Sequence, residues 1–103
     1  MSTYRLSNAE EQAKQFPDDF NIPSMKERKE VPDGHYVKLG FELAPVSSTI
    51  GIEYLWVRVT EREAADGTYY GTLDDSPQFA TNVTVNDSIQ FETENIYGIM
   101  APR

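Results

Sequence analysis

The feature that most constrains this chain is the stretch 53–73, EYLWVRVTEREAADGTYYGTL, in which two runs of period-two alternation flank an Asp-Gly pair. Leu55, Val57 and Val59 point one way, and Tyr54, Trp56, Arg58 and Thr60 the other, the signature of a half-buried strand. After Asp66-Gly67, Tyr69, Gly71 and Leu73 alternate with Tyr70 and Thr72. Asp-Gly between two such runs predicts a β-hairpin, because glycine takes positive φ at little cost. A two-residue turn at Asp66-Gly67 would pair Thr60 with Leu73 and Arg62 with Gly71, placing Leu73 and Tyr69 on the Trp56 face. A loop one residue longer exchanges the faces. Gly71 inside a strand predicts a bulge, a bend, or a close approach by Trp56 or another backbone.

With the hairpin as centre, the other elements follow in chain order. Ser7-Asn8-Ala9-Glu10 reads as a capping box with Ser7 as N-cap, opening a helix over residues 8–15 that Pro17 ends. Residues 17–23, PDDFNIP, read as extended, with Phe20 and Ile22 anchoring them to the core. Ser24-Met25-Lys26-Glu27 is a second capping box, and Pro32 limits its helix to a turn or two. The mixed charges at Lys26, Glu27, Arg28, Lys29 and Glu30 read as a solvated face. His35, Val37, Leu39, Phe41 and Leu43 alternate with Tyr36, Lys38, Gly40 and Glu42, the cleanest amphipathic strand, with the His-to-Leu set inward. Residues 44–52 read as a mobile or partner-contacting loop. Phe79 is expected to plug back into the core, with Val83 and Val85 extended and a turn at Asn86-Asp87. Residues 88–92 form another strand, and the apolar tail after Asn95 a closing strand or short helix.

These elements predict an α+β fold. A short N-terminal helix and a helical turn pack on a small, strongly bent antiparallel sheet or SH3-like barrel of four to five strands. One domain spans 1–103, with an N-terminal arm (1–30) and a β core (31–103).

Composition excludes more than it assigns. There is no cysteine, so no disulfide, thiolate metal site or Cys nucleophile is available. The first residues lack the apolar stretch of a secretory signal, and no run approaches the roughly 18 apolar residues of a membrane helix. A cytoplasmic protein is the expectation. The net charge is −8, and residues 61–103 hold eight acids against Arg62 and Arg103. Direct nucleic-acid binding needs the opposite sign. The acid reads as a solubility device, or as a surface facing a basic partner.

No catalytic motif is present. His35 is the only histidine and sits on the apolar face, and no nucleophile elbow, phosphate-cradling loop or zinc spacing accompanies it. Asp18-Asp19 and Asp74-Asp75 lack the several ligands a calcium loop supplies. The expectation is a non-enzyme without metal or cofactor. Trp56 reads in two ways, as the largest core residue of a small barrel, which carries more weight, or as the centre of an exposed aromatic patch. Trp, Tyr and Arg dominate interface hot spots, so the candidate partner-binding residues are Tyr54, Trp56, Arg58, Tyr70, Asp74, Asp75, Glu92 and Glu94. The functional expectation is a small acidic protein-binding module, monomeric or homodimeric. It would act as an inhibitor of the toxin-immunity or phage anti-defence type by occluding a partner's basic surface. The alternative is a small-ligand or nucleotide-binding domain with its pocket at the barrel mouth.

Several pieces in order carry a resemblance: Phe20-Asn21-Ile22-Pro23, Glu27-Arg28, Tyr36-Val37-Lys38-Leu39, 53–57, Tyr70-Gly71-Thr72-Leu73 with Pro77, 87–91 and Asn95-Ile96. Over roughly residues 16–99 the chain resembles the YegJ-like family of bacterial domains of unknown function (domain of unknown function 2314). The family pattern prefers Gly where this chain has Asn86 and Asn where it has Asp75. The resemblance implies one small mixed α and β domain and no catalytic residue.

Overall fold

The computed structural model describes residues 4–43, 51–63 and 67–102. Two helices, α1 (Ala9–Gln15) and α2 (Met25–Lys29), precede strands β1 (Tyr36–Glu42), β2 (Ile52–Glu63), β3 (Thr68–Leu73) and β4 (Ser88–Glu92). A 3-10 turn, Thr93–Asn95, leads into β5 (Ile96–Met100). All pairings are antiparallel and the order is β4-β3-β2-β1-β5. The two edge strands are consecutive in sequence and only three residues separate them. A flat sheet cannot satisfy that link, so the sheet curls strongly, and its ladder stays open between β4 and β5. The architecture is therefore the bent open sheet with a short N-terminal helix packed on it.

The seam is filled by the N-terminal segment. Leu6 bridges Phe41, the Ser7 N–H donates to the Gly40 carbonyl at 2.9 Å, and the Glu42 N–H donates to the Arg5 carbonyl at 2.9 Å. The Tyr4 ring meets Phe41 edge-on. Its hydroxyl reaches β4, accepting from the Gln90 N–H at 2.7 Å and donating to the Gln90 carbonyl at 3.2 Å.

The concave face holds the core: Val37, Leu39 and Phe41 of β1, Leu55, Val57 and Val59 of β2, Tyr69 and Leu73 of β3, Ile89 and Phe91 of β4, and Ile96 of β5. The alternation read from β1 and β2 is borne out, although His35 is only half-buried at its margin. The two-residue hairpin turn is not. Val57 pairs with Leu73 and Glu63 with Thr68, so the register is not the one a two-residue turn would give, and residues 64–66 lie outside the described residues. The register shifts between Val59 and Glu61, so Thr60 is a bulge, and Leu73 and Tyr69 join the Val57 face. Burial decides this, because the other register would leave both on the less buried face of β3. Gly71 sits opposite Val59 beside the bulge, where a Cβ would collide with the Arg58 carbonyl oxygen and come within 2.8 Å of Val57 Cγ1. The close approach is by backbone and not by Trp56.

Both helices begin as capped helices, one with a different residue than expected. At α2 the Ser24–Glu27 capping box is complete. At α1 the N-cap is Asn8, whose Oδ1 accepts from the Glu11 N–H. Ser7 is buried instead, with its hydroxyl 2.6 Å from that of Tyr97. Burial beside the sheet outweighs a cap that Asn8 supplies equally well. The charged run of α2 is also not wholly solvated: Arg28 is 5% exposed.

Candidate functional site

The convex face of the sheet is where most of the nominated residues meet. Leu55, Val57 and Val59 of β2 go to the core, so Tyr54, Trp56 and Arg58 before the bulge share the opposite face. The register sets them in rows: Gly40 beside Tyr54; Gly98, Lys38 and Trp56; then Met100, Tyr36, Arg58, Thr72 and Ser88. A bulge between Lys38 and Leu39 leaves Tyr97 without a partner on β1 and turns its ring onto this face beside Tyr54.

Trp56 is half-buried and outside the core cluster, which corrects the reading that makes it the largest core residue. The core is filled by Tyr69 and Phe91, stacked 5.2 Å apart at 7°. Lys38 Nζ lies 5.3 Å from the Trp56 ring centroid, a cation–π arrangement. The Trp56 N–H donates to Asp75 Oδ2 at 2.8 Å, and the Asp74 N–H donates to the Trp56 carbonyl at 3.0 Å. Neither Lys38 nor Arg58 has an ion pair among the described residues.

Beside Trp56 the rings of Tyr54 and Tyr97 meet edge-on at 5.0 Å, and Phe20 lies 5.6 Å from Tyr97. Phe20 and Ile22 thus anchor the 17–23 segment to the convex face, not to the core. Burial pushes the Tyr54 hydroxyl pKa up, opposed by its hydrogen bond with Tyr97. Burial also raises that of Tyr97, opposed by Ser7 and reinforced by Tyr54 and Glu42. These groups border a cleft of about 280 Å³ between Phe20, Ile22, Lys38, Tyr54 and Tyr97, with Asp19 and Asn21 supplying polar lining.

The other nominated residues divide. Asp74 and Asp75 adjoin Trp56 through the bonds above. Tyr70 lies past the Thr60 bulge and donates its hydroxyl proton to Glu63 Oε2 at 3.1 Å. Glu92 and Glu94 sit at the β4–β5 turn. The Glu92 N–H donates to Asn95 Oδ1 at 2.8 Å, and Glu94 accepts from Asn8 Nδ2 at 3.4 Å. The eight residues do not form one patch: Tyr54, Trp56, Arg58, Asp74 and Asp75 are brought together, and the remaining three are not.

The loop after β3 contains what sequence reasoning missed. Glu53, on the core side of β2 by alternation, sends its carboxylate to three successive backbone N–H groups: Gln78 at 2.7 Å, Phe79 at 3.0 Å and Ala80 at 2.9 Å. Burial pushes its pKa up, and these three donors more than offset that, leaving it below the ordinary value. An acid on the apolar side of a strand was the available signal, since such a group is almost never buried without partners. Ala80 and Val83 are buried, whereas Phe79 is 67% exposed. The expected Phe79 plug is therefore wrong, with Ala80 taking the inward position. Val85 is exposed, and no strand forms over 80–87. Asn86 has φ 76°, a left-handed position of the kind Asn tolerates better than most residues.

No cluster of three or more His, Asp or Glu suited to a metal occurs among the described residues. His35 Nδ1 is buried without a hydrogen-bond partner among them. The described helices include none long and apolar enough to cross a membrane. The expected loop at 44–50 lies outside the described residues. A family model described as an uncharacterized protein conserved in bacteria (DUF2314) matches residues 4–101. No curated protein and no solved structure matches the chain.

Proposed function

The chain belongs to this bacterial family, and from the geometry we propose that it is a binding module acting by protein–protein contact through the convex face of β2 and its surroundings. The observation that carries the reading is the position of Trp56 and Tyr54. Both stand outside the core, in a fold whose core is already filled by other rings. Large aromatic side chains left half-exposed beside Arg58 match the composition of interface hot spots. The adjoining cleft, at about 280 Å³, falls at the lower limit of small-molecule sites, which span roughly 300–1,000 Å³. It suits one or two inserted side chains of a partner better than a whole metabolite.

The inhibitory form of this role, occlusion of a basic partner surface, draws support from the net charge of −8 and from Asp19, Asp74 and Asp75 around the face. Electrostatic complementarity of that kind acts mainly on encounter rate and partner choice. Affinity capture from the native host or its prey tests the reading. The wild type should enrich a protein that Tyr54→Ser with Trp56→Ser loses, with affinity reduced about 30-fold or more, and that Phe16→Ser retains. Identical captured sets would end the proposal. Charge reversal at Asp74 should weaken capture further if the partner is basic. Asp75 is unsuitable for that arm, because its carboxylate holds the Trp56 N–H. A small-ligand domain would instead show Trp56 fluorescence responding to one member of a metabolite panel, with no protein captured.

A further inference from the structure

The loop joining β3 to β4 presents a side chain whose exposure its own architecture enforces. The loop is closed at its base, where the Leu73 N–H donates to the Asp87 carbonyl at 2.9 Å and the Asn86 N–H to the Leu73 carbonyl at 2.7 Å. Near that base the Asp87 side chain accepts from the Thr84 N–H at 2.9 Å. Ala80 and Val83 pin its middle to the core, and Asp75 ties its start to Trp56. At its apex the Glu53 carboxylate grips the N–H groups of Gln78, Phe79 and Ala80 together. Hydrogen bonds to an ionised acceptor are the strong ones, so Phe79 cannot turn inward without breaking that clamp. A scattered exposed hydrophobic residue is ordinary on any surface. A phenylalanine at 67% exposure on a backbone fixed by a carboxylate from another strand is different, because its ordering has been completed before any encounter.

We infer that residues 74–87 form a pre-organised recognition loop whose anchor, Phe79, enters an apolar pocket rimmed by basic groups on a partner protein. The inference rests on the protein–protein reading above and adds to it a second contact and the chemistry of its counterpart. Compact loops with adjacent ends, packed by their own side chains, are frequent carriers of function. The basic rim follows from charge: the loop holds Asp74, Asp75 and Asp87 and no Lys or Arg. Continuity follows from Asp74 and Asp75, which bond the backbone of Trp56 and so place the loop next to the convex face. Val85, also exposed, adds apolar surface on the same loop.

The test is photo-crosslinking in the native host, using the full chain with benzoylphenylalanine in place of Phe79, of Tyr54 or of Phe16. Position 79 should give an adduct to one protein at a yield about tenfold above position 16, given the dominance of buried anchors in interfaces. Its crosslinked peptide should carry apolar residues flanked by Lys or Arg. An adduct from 54 together with background yield at 79, or with an acidic peptide at 79, overturns the loop inference and leaves the convex-face reading standing. No adduct from either position overturns both. Glu53→Ala, with core amide protection retained, should speed hydrogen exchange at 78–80 and lower the yield at 79. Unchanged yield on a loosened loop would overturn the claim that pre-organisation matters.

Discussion

Arg28 ties together three parts of the chain that sequence distance keeps apart. Its Nε donates to the Pro23 carbonyl at 2.9 Å, and one terminal nitrogen donates to Glu10 Oε2 at 2.7 Å and to the Thr93 carbonyl at 3.0 Å. The guanidinium fork suits such divergent acceptors where a lysine would not. Glu10 is partly solvated while Arg28 is buried, so the two deletions differ. Glu10→Ala strands a buried cation, and Arg28→Ala strands two carbonyls. Each should lower unfolding free energy by about 3 kcal/mol, read from urea denaturation, and Arg28→Lys should recover only part. Glu53 gives a pH dependence. Its folded pKa lies below the ordinary 4.5, so its contribution is fully present above the unfolded value and disappears as pH falls through the lower, folded one. Amide protection at 78–80 should therefore persist through pH 4.5 and vanish at more acidic pH, while in Glu53→Ala it should be weak throughout.

At the scale of elements, the hairpin depends on one bulge. Thr60 as an extra residue restores Leu73 and Tyr69 to the core side, and Gly71 lets β3 pass close to the Arg58 carbonyl. Gly71→Ala would force β3 away from β2 there. An overpacking cost of about 1–3 kcal/mol is expected, seen as a lower thermal midpoint. The rows of Tyr54 and Trp56 contain no β3 residue, so partner capture through those two side chains should be retained by the folded fraction. Local chemistry set the helices well, because a cap needs only neighbours in sequence. It misassigned the first one by a residue because Ser7 has a stronger partner in Tyr97, 90 positions away.

At the scale of the molecule, the open edge of β4 is covered by a side chain and not by a ladder. Tyr4 satisfies both backbone groups of Gln90 on the exposed edge of β4, the pair another strand would use. Covering an edge in this way is a known guard against intermolecular pairing. Tyr4→Phe removes both bonds while keeping the ring on Phe41. A loss of about 1 kcal/mol is expected, together with faster exchange of the Gln90 amide and a measurable tendency to self-associate in analytical ultracentrifugation.

The sequence by itself determined the inward and outward faces of β1 and β2, the two helices and the strands on both sides of Asp66-Gly67, because each rests on period, caps or turns within a few residues. It also placed Tyr54, Trp56 and Arg58 together, since alternation alone puts them on one face. Only the tertiary structure decided which register the hairpin takes, that Trp56 stands outside the core, that Arg28 is buried and that Phe79 faces water. Each of these turns on a contact between distant positions: Leu73 on Val57, Tyr69 on Phe91, Arg28 on Glu10 and Thr93, Glu53 on the 78–80 backbone. Local pattern gives each residue a preference, and burial against a partner far along the chain settles which preference prevails.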